Sequence, residues 1–221
     1  MTLQLQTFET GPLGNKVCLL FDEATKNSVL VDPSFEPEGV IDFIVKKELH
    51  VARVLITHGH FDHFAGLSSL CSKLKIFPQI GLHPADLDLW RDGGGGKNYG
   101  FMIEQPADPD LWFEEGQVIN LENREIEVRS APGHSPGSVI FYVPSIKTAI
   151  CGDVIFYHGV GRTDLPGGSH ATLIESIRTQ VLSLPLNTRL IPGHGGETTV
   201  QEEKDKNPYL DFSRSNRRES P

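Results

Sequence analysis

Cysteine, methionine and tryptophan are scarce in this sequence, with three, two and two of them among 221 residues. Three cysteines are too few, and odd in number, for a disulfide-rich scaffold. Cys18 and Cys151 each lie inside an apolar segment, Val17–Leu20 and Ile150–Gly152. We therefore expect reduced thiols that pack in the core, in preference to catalytic or metal-binding cysteines.

Long apolar runs and an excess of positive charge are missing as well. No uninterrupted apolar stretch approaches the length of a membrane-spanning helix, and the formal net charge is −9 at pH 7. Negative charge disfavours binding to nucleic acid and to anionic membranes, so we expect a small-molecule partner instead. Residues Met1–Gln6 alternate like a strand and lack the pattern of a secretion signal, which favours the cytoplasm. The sequence does not indicate an oligomeric state.

The composition and periodicity predict one globular domain of mixed α and β structure. A hydrophobic content of 38% and 22% charged residues are typical of a globular protein with one sizeable core. The predicted helices are Pro37–Leu49, Phe64–Leu74, Pro84–Trp90 and Ala171–Leu184, and the predicted strands include Val51–Ile56, Glu125–Ala131, Thr148–Ile150 and Arg189–Ile191. We expect a single domain over residues 1–212. Residues 213–221 are basic, have no apolar anchors and are expected to form a disordered tail.

Four side chains able to bind a metal occur in the short stretch Thr57–His63, namely His58, His60, Asp62 and His63. Residues two apart on an extended segment point the same way, so His58 and His60 can bind one ion from one side. Asp62 and His63 follow at the turn, where they can hold a second ion. Three imidazoles and a carboxylate on one loop bring no packing benefit, which favours a metal site over a solvated, histidine-rich loop.

Three further potential ligands each follow a predicted strand, at a sharp turn rich in glycine or proline. They are His134, Asp153 and His194. Taken singly, each is an ordinary turn residue. Sites in α/β sheets form at the carboxyl ends of strands, so the repeated pattern predicts that all three converge with the loop that begins at Thr57.

This order of ligands resembles that of the metallo-β-lactamase superfamily and, within it, the glyoxalase II-like hydrolases. The matching motifs extend over residues 57–195. The resemblance implies an α/β fold, a four-layer αββα sandwich with metals at one edge. It also implies two ligand groups joined by one carboxylate: His58, His60 and His134 hold one ion, Asp62, His63 and His194 hold the other, and Asp153 bridges the two.

Two ions that share a carboxylate and a water, about 3.5 Å apart, lower the pKa of that water toward neutrality and supply a bridging hydroxide. Such a centre can polarise a carbonyl and stabilise a departing group, which suits an ester or thioester. We therefore expect hydrolysis of an acyl-thioester, a hydroxyacylglutathione such as S-lactoylglutathione, with Asp62 and Asp153 as catalytic carboxylates. Two divalent ions are expected, zinc first, although the same ligands accept iron and manganese.

Two other functions stay open at this point. The first is a mononuclear iron persulfide dioxygenase that uses His58, His134 and Asp153, a ligand set similar to the facial triad of non-haem iron enzymes. The second is a non-catalytic metal-binding module, which is disfavoured because the ligand set is complete. Metallo-β-lactamases usually have a cysteine at the position of Asp153, and this difference argues against antibiotic hydrolysis. In full-length glyoxalase II a Lys-Phe-Tyr type motif follows the bridging aspartate. Here Gly159–Asp164 stands there instead, which leaves glutathione recognition open.

Two glycine-rich segments lie outside the ligand set. In the first, which follows Asp153, we expect Arg162 to pair with Asp164 and orient metal ligands, and we favour this over a contact between Arg162 and a substrate carboxylate. The second, Gly93–Gly96, lacks the ending of a phosphate loop and is expected to be a flexible loop near the site mouth. His158 is close enough to Asp153 in sequence to reach the site rim.

Overall fold

The structure is a computed structural model that describes residues 3–210, so the predicted tail at 213–221 lies outside the described residues. Within this range the main strands form two six-stranded sheets. The strands of the first sheet, in spatial and chain order, are β1 (Leu3–Thr10), β2 (Asn15–Asp22), β3 (Asn27–Val31), β4 (His50–Leu55), β5 (Gln79–Leu82) and β6 (Leu111–Trp112). Strands β1 to β3 pair antiparallel, and β3 to β6 pair parallel.

The second sheet is built from the later part of the chain. Its strands are β7 (Val118–Leu121), β8 (Arg124–Ser130), β9 (Val139–Val143), β10 (Thr148–Gly152), β13 (Arg189–Pro192) and β14 (Thr198–Thr199), in the spatial order β14-β13-β10-β9-β8-β7. A two-stranded ribbon of β11 (Ile155–Phe156) and β12 (Gly159–Val160) lies between β10 and β13 in sequence. Strands β10 and β13 are parallel, and the other neighbours are antiparallel.

Helices cover the outer face of each sheet. The α-helices are α1 (Glu38–Lys47), α2 (Leu67–Leu74), α3 (Leu87–Arg91), α4 (His170–Ser176) and α5 (Val200–Lys206). Helix α4 continues as a π-helical turn over Ile177–Val181. In the described part of the chain, no helix is long and apolar enough to cross a bilayer.

Alternating burial along the strands explains the four layers. In β2, Cys18 and Leu20 belong to a core between the two sheets, whereas Leu19 belongs to a second core beneath the helices of the first half. In β9, Phe141 belongs to the core between the sheets, and Ile140 to a third core beneath α4 and α5. A strand buried on both faces reads as a nearly continuous apolar run. The predicted αββα sandwich is confirmed.

The carboxyl ends of the central strands meet at one edge of the sandwich. The loop after β4 is joined to the second sheet there, because the Val139 backbone N–H donates to the Thr57 carbonyl at 2.8 Å. The start of β2 is joined to the end of β13, because the Lys16 N–H donates to the Gly193 carbonyl at 2.7 Å. These two connections bring the predicted ligand segments of both halves together.

Several predicted boundaries shift, and some elements were not predicted. The segment Pro84–Trp90 divides into a 3-10 turn, Pro84–Asp86, followed by α3, and the helix predicted from Ala171 changes to π-helical at Ile177. Strand β5 and helix α5 were not predicted. All three cysteines are free; Cys18 and Cys151 are buried as expected, whereas Cys71 is only half-buried.

Candidate metal centre

Three histidine rings from two separate loops converge on one point. Nε2 of His134 lies 3.1 Å from Nε2 of His58 and 2.9 Å from Nδ1 of His60. All three side chains are buried. His58 and His60 come from the loop after β4 and His134 from the turn after β8, so the predicted first ligand group is assembled by the fold.

The hydrogen bonds of the Nδ1 atoms of His58 and His134 show which ring nitrogens are protonated and which carry a lone pair. Nδ1 of His134 donates to the Arg162 carbonyl at 2.8 Å. The Thr57 hydroxyl donates its hydrogen to Asp32 Oδ2 at 2.6 Å and therefore accepts from Nδ1 of His58 at 3.1 Å. Both Nε2 atoms are then unprotonated and face each other. Two facing lone pairs repel, and a shared cation removes the repulsion, so this donor set fits a metal ion.

A second group of donors lies beside the first and consists of Asp62, His63 and His194. Asp62 Oδ2 is 3.2 Å from Nε2 of His194 and 3.7 Å from Nε2 of His63. Nδ1 of His63 donates to Asp32 at 2.8 Å, and Nδ1 of His194 donates to the Leu13 carbonyl at 3.0 Å. Nε2 of His63 is buried without a hydrogen-bond partner among the described residues, and a buried nitrogen of this kind fits the role of a metal ligand.

Asp153 lies between the two groups and faces both. Its Oδ2 is 3.7 Å from Nε2 of His134, whereas its Oδ1 is 3.4 Å from Nε2 of His63 and 3.6 Å from Nε2 of His194. Oδ1 is also buried without a hydrogen-bond partner in the described chain. One carboxylate with an oxygen toward each group is the arrangement that a bridging ligand requires.

The two groups differ in charge. Burial lowers the pKa of His58 well below its usual range and that of His60 to about 4, so these two imidazoles are neutral at pH 7. Burial is the largest influence on Asp62 and on the bridging Asp153 and opposes their ionisation, but His63, His194 and the other neighbouring groups together outweigh it and lower the pKa of both carboxyls. Burial also opposes the charge on His63, but Asp62, Asp153 and Asp32 together outweigh it and raise the pKa of that imidazole. Two carboxylates therefore stay ionised and can offset the charge of bound cations.

Residues 11–194 match the metallo-beta-lactamase superfamily. The chain belongs to this superfamily. It is 34% identical over 208 residues to hydroxyacylglutathione hydrolase GloC of Haemophilus influenzae, a match that covers 87% of this chain and 92% of that protein.

Two solved structures share the fold closely. The BLEG-1 B3 metallo-beta-lactamase superposes with a TM-score of 0.87 at 30% identity, over 94% of this chain and all of that one (100%). TTHA1623, solved in a di-iron-bound form, superposes with a TM-score of 0.82 at 36% identity, over 93% of this chain and 100% of that one. Superfamily membership and the histidine–aspartate cluster together support a metal-dependent hydrolase.

Asp32 was not predicted from the sequence, yet its carboxylate binds residues in both halves of the candidate metal centre. Besides His63 and the Thr57 hydroxyl, its carboxylate accepts the Thr57 N–H at 2.8 Å. Asp32 follows β3 directly and is 1% exposed. An aspartate before a proline at the end of a buried strand was the available signal, since His134, Asp153 and His194 occupy similar positions.

Asp86 was missed as well, and it joins the two loops of the first group. Its Oδ2 accepts the Gly59 N–H at 2.8 Å and the Ser135 hydroxyl at 2.6 Å, and its Oδ1 accepts the Gly137 N–H at 2.6 Å. A Cβ at Gly137 would lie only 2.7 Å from Asp86 Cγ, so this close approach requires glycine. Asp86 thus keeps the loop of His58 against the turn of His134.

The predicted pair of Arg162 and Asp164 forms, but its role differs from the one expected. Nε and Nη2 of Arg162 donate to the Asp164 carboxylate at 2.8 and 2.7 Å, and both side chains are exposed. The backbone carbonyl of Arg162, and not its side chain, orients His134. Substituting the side chain therefore leaves the orienting contact in place.

A cavity of about 760 Å³ opens beside the ligands. Its wall includes Phe61, Tyr99 and Arg162. The segment Gly93–Tyr99 does lie at this cavity, as expected, but it forms tight 3-10 turns packed against Phe61. His158 is not among the lining residues of the described chain; its Nε2 lies 2.9 Å from Glu202 on α5.

Proposed function

We propose that this chain is a dinuclear metal-dependent hydrolase that cleaves the acyl-thioester of a hydroxyacylglutathione, such as S-lactoylglutathione. The observation that carries the proposal is the presence of two complete ligand groups joined by Asp153. A mononuclear site would leave Asp62, His63 and the half-buried His194 as a donor cluster without a role. Two divalent ions, zinc first, match these imidazole and carboxylate donors, which also accept iron and manganese.

When bound, such ions supply Lewis acidity and lower the pKa of a water molecule enough to provide hydroxide near neutral pH. The chain itself contributes ligands, orientation and charge. Asp62 and Asp153 are the two ionised carboxylates of the centre, and Asn15 Nδ2 holds Asp62 Oδ2 at 2.9 Å. In the overall reaction water adds to the carbonyl carbon, the C–S bond breaks, the acyl group leaves as a carboxylic acid, and the sulfur takes one proton.

The cavity supports a substrate of this size. A volume of about 760 Å³ is in the range of sites that enclose small molecules and cofactors. Leu89, Leu165 and Pro136 line it together with aromatic rings, so the stem of a thioester can lie against apolar groups while its carbonyl reaches the ligands. The relative named hydroxyacylglutathione hydrolase supports the same substrate class.

Thiol release from S-lactoylglutathione, followed with a colorimetric thiol reagent, tests the proposal. We expect turnover by the metal-loaded protein, its loss on treatment with a chelator, and its recovery when zinc is restored. The variant His58→Ala should lose both bound metal and turnover, whereas His50→Ala, a histidine exposed on β4, should retain them. Full turnover by His58→Ala would refute the proposal.

The mononuclear iron persulfide dioxygenase is the second candidate; the similar TTHA1623 was solved in a di-iron-bound form, which supports iron as a possible metal but not a site with one ion. It would use His58, His134 and Asp153, of which His134 lies 3.1 Å from His58 and 3.7 Å from Asp153. About one iron per chain, with oxygen uptake on glutathione persulfide and no thiol release from thioesters, would favour it. A β-lactam belongs in the same substrate panel, since BLEG-1 is named a lactamase.

A further inference from the structure

Tyr99 and Arg162 face each other at the cavity, from segments 63 residues apart. Nη1 of Arg162 lies 3.5 Å from the Tyr99 hydroxyl. Both residues line the cavity and both are about half exposed, at 50% for Tyr99 and 51% for the Arg162 side chain. Two polar groups thus point toward each other where a ligand would enter.

The Arg162 guanidinium has N–H groups that do not bind Asp164. It carries five N–H groups, and Asp164 accepts from Nε at 2.8 Å and from Nη2 at 2.7 Å. This bidentate pair sets the plane of the guanidinium and leaves Nη1 directed at Tyr99. The contact of 3.5 Å between Nη1 and the Tyr99 hydroxyl is long for a hydrogen bond. A single oxygen acceptor placed beside them can therefore accept one hydrogen bond from Nη1 and a second from the Tyr99 hydroxyl.

The charged residues that line the cavity indicate where an anionic group can bind. Among its lining residues in the described chain, Arg162 is the one lysine or arginine, and the acidic lining residues are Asp62, Asp86, Asp88, Asp92 and Asp153. A carboxylate is the group that a guanidinium and a hydroxyl bind together through charge-assisted hydrogen bonds.

Both residues are fixed relative to the metal ligands. The Tyr99 ring stacks on Phe61, with ring centroids 5.8 Å apart, and Phe61 stands between His60 and Asp62 in the chain. Gly94 brings the Tyr99 segment close, because a Cβ there would lie 2.1 Å from the Phe61 backbone nitrogen. Arg162 is anchored through its carbonyl to His134. The fold therefore fixes the distance between the pair Tyr99 and Arg162 and the candidate metal ligands.

We propose that Nη1 of Arg162 and the Tyr99 hydroxyl bind a carboxylate on the thiol half of the substrate. The enzyme then selects thioesters whose thiol carries a carboxylate, as a glutathione-type peptide does, over thioesters of uncharged thiols. The lactoyl group has no carboxylate, so the charge must come from the thiol half. This inference rests on the proposed thioester hydrolysis and specifies its substrate class.

Binding to the metal-free protein tests the inference without any turnover. The probes are S-methylglutathione and its dimethyl ester, in which both carboxylates are masked, and the readout is Kd by isothermal titration calorimetry. Arg162→Met should raise the Kd of S-methylglutathione on the order of tenfold and change that of the diester much less. Tyr99→Phe, which keeps the ring on Phe61, should give a smaller shift of the same kind.

Arg178→Met is the matched control. Arg178 forms a similarly exposed pair with Glu175, at 54% and 58% side-chain exposure, away from the cavity, so its loss should move neither Kd. Equal Kd values of wild type and Arg162→Met for S-methylglutathione would overturn the inference. So would an equal loss of binding for both probes, which would mean that Arg162 only maintains the wall.

Hydrolysis separates this inference from the proposed function. We expect the ratio of kcat/KM for S-lactoylglutathione to that for S-lactoyl-N-acetylcysteamine, an uncharged thioester, to fall about tenfold in Arg162→Met, through KM. If the wild-type protein cleaves both thioesters and the ratio of their kcat/KM values is the same in Arg162→Met, only the inference about the carboxylate is overturned. Wild-type protein that cleaves neither overturns the proposed function, and the carboxylate preference for hydrolysis with it.

Discussion

The Asp32 carboxylate lies 2.8 Å from Nδ1 of His63, and both side chains are almost completely buried. The same carboxylate binds Thr57, whose hydroxyl contacts His58. One residue at the end of β3 therefore orients a histidine in each ligand group. Partners of this kind fix the tautomer and the ring direction of metal-binding histidines.

Substituting Asp32 should weaken metal binding in both groups. In Asp32→Asn we expect metal affinity to fall roughly 10–100-fold, because an amide cannot accept from Thr57 and His63 with both of its ends. The measurement is competition between the protein and a chromophoric chelator. Asp42→Asn, on the exposed face of α1, is the control and should bind metal like wild type. Unchanged affinity in Asp32→Asn would show that the histidines orient without it.

Removing one ligand of the first group should remove an ion. His134→Ala loses the nitrogen that lies 2.9 Å from His60 and 3.1 Å from His58. We expect about one metal ion fewer per chain by elemental analysis, and thioester turnover lower by at least about a hundredfold. His50→Ala should match wild type in both measurements. A His134→Ala protein with full metal content would show that His134 is not a ligand.

Asp86 should contribute mainly to stability. Asp86→Ala leaves the N–H groups of Gly59 and Gly137 and the Ser135 hydroxyl buried without their acceptor. We expect the free energy of unfolding to fall by roughly 2–6 kcal/mol, since each of the two unsatisfied N–H groups costs about 1–3 kcal/mol, whereas the Ser135 hydroxyl still has Ser138 Oγ at 2.8 Å. Urea denaturation of the metal-free protein measures it. The exposed Asp205→Ala variant on α5 should unfold at the wild-type midpoint, and an unchanged midpoint in Asp86→Ala would contradict this account.

The thiols should react in an order set by burial. Burial raises the pKa of Cys18 above its usual range and that of Cys151 to about 12, and it also raises the pKa of the half-buried Cys71. A raised pKa keeps the thiol protonated, and the reactive thiolate increases only as pH rises. Iodoacetamide at pH 8 should therefore label Cys71 alone in the folded protein, faster at higher pH.

Peptide mass spectrometry locates the label, and protein unfolded in guanidinium is the control. There all three cysteines should react at similar rates. Labelling of Cys18 or Cys151 in the folded protein as fast as Cys71 would show that their segments open readily.

The clustering of the candidate ligands was predictable because their signal is local and chemically unusual. A loop with three histidines and an aspartate is hard to explain otherwise, and His134, Asp153 and His194 repeat one pattern of strand, turn and ligand. The signal for Asp32 is weaker, since a single aspartate at the end of a strand is common, and Asp86 lies in a 3-10 turn with no such signal. Their partners lie 25 to 51 residues away in sequence, so only the folded chain shows them.

The missed elements have physical causes too. Strand β5 is four residues long and contains Gly81, which reads as a strand breaker. A Cβ at Gly81 would lie 2.4 Å from the Phe113 ring, so packing requires the glycine. Helix α5 has one buried apolar residue, Val200, and its start is instead marked by Thr199, whose hydroxyl accepts the Glu202 N–H. The periodicity of apolar residues identifies helices with an apolar face, but it does not identify a helix that is marked mainly by a capping residue.

Titration of the metal-free protein with zinc, with thiol release from S-lactoylglutathione as the readout, tests the central claim most directly. The geometry predicts that activity rises with added zinc and saturates at two ions per chain, one for each of the groups that Asp153 joins. Saturation at one ion per chain, or no thiol release at any ratio, would contradict the dinuclear hydrolase.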